Sequence, residues 1–407
     1  MERVEKFFSC LKEITATPKG ITRIAFSDED WKGRAFVQQW MKELGLEVRE
    51  DAFGNYFGRL SGEDNSLPPI MIGSHMDSVP EGGNYDGPVG VFAGLEIVKR
   101  LMESKTVLKR PLEVAIFLCE ESARFRVATL GSRAFIGELS PEEAEKYVDK
   151  AGQSLAEVLR SRGFDPNLLG KPLYEKAPEA FFEVHIEQGK VLEVEGKEVG
   201  IVQGIAAPSR YQLVVTGKAD HSGATPMNLR QDALCGAAEI ILSLEKLTKE
   251  TLQDVPVVGT IGVIEAKPGA LNVIPGAVEL GVDIRSISAD KKAQIAESFL
   301  EAATEVCEHR GLSLAIRELG KEEPVMIPKE VQARFEKAVQ TLGVNAMSLP
   351  SGAGHDAMYL AKVAPTGMLF IPCKEGISHN SLESTEQESI VRAVDVLEYV
   401  VRHYDDK

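Results

Sequence analysis

The order of strand-like and helix-like segments changes near Ser209 and changes back past Glu322, and that interruption limits the possible folds more than any other feature. Before it, the two kinds alternate. Ser27, with Asp30 three residues on, predicts a helix start before WKGRAFVQQWMKELG, and Gly45 its stop. Strand-like runs LEVREDAFGNYFGRL and PPIMIGSH follow, then the helix-like GVFAGLEIVKRLMES and the strands LEVAIFLCEE and AFFEVHIEQ. This alternation predicts an α/β layer with a mostly parallel sheet. From Ser209 the segments RYQLVVTGK, DALCGAAEIILSLEKL, VVGTIGVIEA, AVELGVDIRS, DKKAQIAESFLEAATEVCEHRG and LSLAIREL form a βαββαβ unit of ferredoxin-like pattern. Past Glu322 the α/β pattern resumes with KEVQARFEKAVQTLG, the loop PSGAGHDA, the strand TGMLFIP and a closing helix. The expected layout is an α/β domain over residues 1–208 and 323–407, interrupted by an inserted domain over 209–322. A length of 407 residues suits two cores, since single cores stop growing at roughly 250 to 300 residues.

Bulk properties remove several classes of function. A formal net charge of −16 disfavours nucleic acid and anionic membranes as partners and suits a chain that carries divalent cations. The N-terminal MERVEKFFSCLKE is amphipathic and lacks the apolar core of a signal peptide, and no apolar run reaches the roughly 20 residues of a membrane span, so a cytoplasmic protein is expected. Cys10, Cys119, Cys235, Cys307 and Cys373 are widely spaced and mostly embedded in apolar runs, and predict buried free thiols rather than a disulfide framework.

Of the seven histidines, His309 closes a charged helix and His403 lies in the last turn of the terminal helix, where a cation complements the dipole. The other five follow strands or sit in loops beside glycine, serine or acid. PPIMIGSH delivers His75 at a strand end, and Asp77 is placed to accept its second ring N–H, as metal-bound histidines require. Glycines at 82, 83 and 87 let the chain turn back so that Asp86 approaches the same point; the alternative is a glycine-rich turn with solvated acids. LEVAIFLCEE ends in Glu120 and Glu121, which are costly to bury unless paired, protonated or metal-bound, and two roles are open to them: ligand and proton carrier. FFEVHIEQG and KEGISHN bring in His185 and His379. The set His75, Asp86, Glu121, His185 and His379 mixes imidazole and carboxylate, which suits zinc, manganese or cobalt. Five ligands exceed one closed tetrahedral site, whereas two ions sharing Asp86 would each have three.

GSHMDSVPEGGNYDG, the EE pair, HIEQG, ADHSGATPMNLRQDA, LNVIPG, SGAGHDA and GISHN together resemble the hydantoinase/carbamoylase branch of the M20 metallopeptidase-like amidohydrolases, in order and over nearly the whole chain. The resemblance implies a phosphorylase/hydrolase-like α/β catalytic domain interrupted by a lid that also makes a homodimer. It assigns His75, Asp86 and His185 to one of two divalent ions, and Asp86, Glu121 and His379 to the other, with Glu120 as general base. His221 resembles the histidine that polarises the scissile carbonyl in the partner subunit's site, and Asn272 and Arg285 the groups that hold a substrate carboxylate, the alternative for Arg285 being a surface ion pair within the lid. Gln188 and the loop of Gly352, Ala353 and His355 complete the pocket, while Arg210 either contacts a second ureido group or is solvated. Where relatives often read EEG, this chain has Ser122 after the pair. The implied substrate is a small ureido acid: an N-carbamoyl-L-amino acid first, allantoate second, with aminoacylase or dipeptidase activity as a further alternative.

Overall fold

The computed structural model describes residues 1–17, 19–251 and 255–406. Contacts divide the chain into two compact units: Met1–Gln203 with Ile327–Leu349 and Gly354–Lys407, and Gly204–Met326 with Pro350–Ala353.

In the first unit, parallel strands Thr366–Ile371, Ala180–Ile186, Ile70–His75 and Leu112–Phe117 lie side by side in that order. Val199–Ile205 adds antiparallel to one edge, and Tyr56–Leu60 and Glu47–Glu50 to the other. Every residue of the four parallel strands is buried. The helix Pro88–Glu103 packs on three of these strands, and Lys329–Leu342 and Gln387–Arg402 pack on Thr366–Ile371. Helices over a parallel sheet require continuous apolar runs, and the polar residues in such runs are therefore conspicuous.

The run LEVREDAFGNYFGRL differs from its single-strand reading. The Asp51 carboxylate accepts the N–H groups of Phe53, Gly54 and Asn55, which closes a turn and folds the run into a hairpin. The stretch from Ser122 to Glu179, which shows no long periodic pattern, contains the short helices Leu130–Ile136, Pro141–Lys146 and Leu155–Ser161. They share a core with Phe26, Phe53, Cys119 and Phe125. Capping boxes at Ser140 with Glu143 and Ser154 with Glu157 are the sequence signal that marks two of them.

The second unit has the order βαββαβ. Its antiparallel sheet runs Val258–Lys267, Ala277–Ser286, Ala207–Thr216, Ser313–Lys321, and helices Ala233–Lys249 and Ala289–Arg310 pack on it. Leu213, Val215, Ile240, Leu280 and Phe299 form its core. Burial alternates along Ala277–Ser286, so Glu279, Asp283 and Arg285 lie on the face away from that core. Among the described residues no helix is long and apolar enough to cross a membrane.

The helix Asp28–Glu43 begins as the sequence predicts, with Ser27 accepting the Asp30 N–H. Asp30 itself is buried: Oδ2 accepts the Phe26 N–H at 2.8 Å, and Oδ1 has no hydrogen-bond partner among the described residues. Burial pushes its carboxyl up to about 7 against the pull of Arg34. The folded value exceeds the unfolded value of roughly 3.9, so the folded state binds more protons between them and stability falls as pH rises through that window. Thermal unfolding of Asp30→Asn is expected to show a higher Tm than the parent at about pH 8 and to lose that advantage toward about pH 4. A parallel pH dependence in the two proteins would remove Asp30 as its source.

Candidate metal centre

His75 ends a central strand and His185 lies one residue before the end of its neighbour, and both side chains are buried. The His75 Nδ1 stands 3.0 Å from the backbone carbonyl of Asp77 and 3.8 Å from its Oδ1. The second ring N–H is thus taken by Asp77, through its carbonyl and not its carboxylate. A carbonyl only accepts, so Nδ1 carries a proton and Nε2 points to the site. The same holds for His185, whose Nδ1 meets the carbonyl of Ile186 at 2.9 Å.

The Asp77 carboxylate is instead occupied by the N–H groups of Glu120 at 3.1 Å and Glu121 at 3.0 Å. These follow Cys119, which holds a left-handed φ of 63°. Asp77 therefore anchors the acid pair through its backbone, a contact that residue spacing does not reveal. Asp86 reaches the centre because Gly87 takes a φ of 84° and lies under the His75 ring, where a Cβ would come within 2.5 Å of Cε1.

The two oxygens of Asp86 face different partners. Oδ1 stands 3.5 Å from His75 Nε2 and 3.3 Å from His185 Nε2. Oδ2 stands 3.5 Å from His379 Nε2, which is 3.3 Å from Oε1 of Glu121. Ligand atoms of His75, Asp86 and His185 all lie within 4.8 Å of one another, as do those of Asp86, Glu121 and His379. Among the described residues the buried His185 Nε2 makes no well-formed hydrogen bond. A buried lone pair without a donor, beside carboxylates and imidazoles arranged as two triads with a shared member, fits a pair of divalent cations. A third grouping, Glu183 with His185 and His355, is less open. Glu183 already accepts Ser74 Oγ at 2.7 Å and the Ala357 N–H at 3.1 Å.

Electrostatics agree with that fit. Burial, joined by Glu121, Asp356 and Asp77, pushes the Glu120 carboxyl well above its usual range, with His75 opposing. Burial and Asp86 raise Glu121 to about 7. Burial would raise Asp86 as well, but His185, His379 and His75 hold it well below the usual carboxylate range. Hydrogen bonding to Asp86 raises His379 to about 9. Without cations the cluster keeps protons on groups that a metal must strip, which links metal affinity to pH. His379 is 47% exposed where the other imidazoles are buried, so it marks the mouth of the centre.

Gln188 donates from Nε2 to Oδ2 of Asp86 at 2.7 Å, and its buried Oε1 has no hydrogen-bond partner among the described residues. His355 packs edge-on against His185 with ring centroids 4.5 Å apart, and burial together with His185 lowers its pKa well below the usual imidazole value.

The remaining expected residues belong to the second unit, where they form two groups. His221 and Asn272 lie on neighbouring segments, with His221 paired to Val273. The His221 Nδ1 accepts the N–H groups of Gly223 at 3.1 Å and Ala224 at 3.2 Å, which leaves Nε2 as the N–H donor. Arg285 and Arg210 both hold Asp283, with Arg285 at 2.8 and 3.1 Å and Arg210 at 3.0 Å; Arg285 also reaches the carbonyl of Gly352 at 3.0 Å. The hydroxyl of Ser351 bonds the carbonyl and N–H of Ala353 and shapes that loop.

A family model described as peptidase family M20/M25/M40 matches residues 71–403. The N-carbamoyl-L-amino-acid amidohydrolase of Pseudomonas sp. (strain NS671) is 40% identical over 407 residues, covering 99% of this chain and 98% of that protein. The allantoate amidohydrolase of Bacillus subtilis (strain 168) is 36% identical, covering 93% of this chain and 92% of that protein. An amidase of the hydantoinase/carbamoylase family from Burkholderia multivorans, known by crystal structure, aligns with a TM-score of 0.93 at 34% identity, covering 100% of this chain and 98% of its own.

Proposed function

This chain belongs to peptidase family M20/M25/M40, and on that premise we propose that it is a metal-dependent amidohydrolase that cleaves the ureido C–N bond of N-carbamoyl-L-amino acids. The products would be the amino acid, carbon dioxide and ammonia. The observation that carries the reading is the pair of ligand triads sharing Asp86 beside the buried Glu120. The substrate class draws its support from the relative at 40% identity.

The chemistry that two zinc, manganese or cobalt ions supply when bound is a lowered pKa for water and polarisation of the ureido carbonyl. His75, Asp86 and His185 would hold one, and Asp86, Glu121 and His379 the other. Glu120 takes the proton of the attacking water and passes it to the departing nitrogen. Asp77 keeps the backbone of both glutamates in place. The Nε2–H of His221, fixed by the two backbone donors on Nδ1, stabilises the developing oxyanion in the partner subunit's site of a homodimer joined through the inserted unit. Arg285 and Asn272 bind the substrate carboxylate, Arg285 through the Nη N–H groups that Asp283 and the Gly352 carbonyl leave over. Gln188 and the loop of Gly352, Ala353 and His355 are further substrate contacts in this reading.

A second reading, allantoate as substrate, is favoured by one observation: Arg210 shares Asp283 with Arg285 and offers a second guanidinium for a second ureido group. Ammonia release by manganese- or zinc-loaded protein separates the readings. N-carbamoyl-L-amino acids are expected to be cleaved in preference to allantoate and N-carbamoyl-β-alanine. Preference for allantoate would replace the substrate but keep the mechanism. Cleavage of N-acetyl amino acids alone, followed by free-amine release, would overturn the ureidohydrolase reading.

A further inference from the structure

One buried side chain joins the loop carrying Asp86 to the loop carrying His379. Glu383 Oε1 accepts the backbone N–H of Tyr85 at 2.9 Å and of Asp86 at 3.1 Å. Its Oε2 lies 3.2 Å from Ser378 Oγ, which also stands 2.6 Å from Oδ2 of Asp86. The carboxylate rests on Gly83 so closely that a Cβ there would overlap it. That contact accounts for the second glycine of GGNYDG, whose φ is otherwise open to any residue.

The loop it grips is not relaxed by itself. His379 holds a left-handed φ of 54°, a conformation that costs a non-glycine residue free energy and persists only where its surroundings enforce it. Glu383 lies four residues on, where its N–H closes a turn onto the carbonyl of Asn380, and its side chain is fastened to the opposite loop, so the turn between them is held at both ends. We propose that Glu383 is a positioning residue that sets the separation of Asp86 and His379, and with it the spacing of the two cation positions. This rests on the paired-cation reading of the site. Glu383 acts through the backbone of Asp86 and through Ser378, without touching a cation or the substrate.

The test is titration of metal-free protein with Co²⁺, following the visible absorption bands and the cobalt retained after gel filtration, with Tm of the metal-free variants as a control. The parent is expected to take up two equivalents. Glu383→Gln keeps an acceptor at the same reach and is expected to match it. Glu383→Asp keeps the charge but falls short by one methylene, and Gly83→Ala displaces the carboxylate. Each is expected to bind one equivalent about 10- to 100-fold more weakly, with altered band intensities. Parent-like affinity and bands in Glu383→Asp and Gly83→Ala would overturn the proposal while leaving the paired site intact. Uptake of at most one cobalt by the parent would instead overturn the paired-site reading, and the proposal with it. If Gly83→Ala fails to fold, Glu383→Asp decides alone.

Discussion

Glu120→Gln is expected to take up divalent cations as the parent does and to turn over about 10²- to 10⁴-fold more slowly, the span of a lost general acid–base group. The expectation follows from how the two adjacent glutamates are disposed. Glu121 stands 3.3 Å from His379 and shares a ligand triad with Asp86, whereas Glu120 belongs to no such triad and lies 3.8 Å from His75. Both are fixed through their N–H groups by Asp77, so the substitution leaves the backbone that carries them unchanged. Glutamine retains the size and loses the proton-accepting oxygen. Metal content by mass spectrometry and kcat on an N-carbamoyl amino acid check the two halves separately. Full activity in the variant would remove Glu120 from the mechanism, and loss of metal would make it a ligand instead.

Asp86→Ala is expected to have the larger effect, with loss of both cations and turnover at background. Oδ1 faces His75 and His185 while Oδ2 faces His379, so among the described residues Asp86 alone serves both triads. In the metal-free protein the same carboxylate balances three imidazoles, and its removal leaves them facing one another. Added zinc or manganese should raise the Tm of the parent by mass action and leave that of the variant unmoved. A variant that still bound one cation tightly and hydrolysed substrate would show that the two triads are independent.

Several parts of this architecture are legible from residue order, and the reason is physical. A parallel sheet beneath helices needs uninterrupted apolar strands, so PPIMIGSH and AFFEVHIEQ stand out, and the histidines they carry stand out with them. The helix at Asp28 announces itself through Ser27 because capping is a contact between residues three apart. The hairpin within LEVREDAFGNYFGRL was less visible, since one Asp51 side chain, not the apolar pattern, turns the chain.

The sequence by itself determined the residue types that can bind a cation, the strands that deliver His75 and His185, and the point near Ser209 where the element order changes. Tertiary structure alone decided which atom does what. Asp77 gives its carbonyl to His75 and its carboxylate to backbone groups 43 and 44 residues away. Glu383 grips a loop 297 residues earlier. Arg285 is committed in part to Asp283 and to the carbonyl of Gly352. Periodicity records whether a side chain is buried, because burial repeats with the local geometry of strand and helix. The choice of hydrogen-bond partner depends on which segments packing brings within about 3 Å, and no local pattern encodes that.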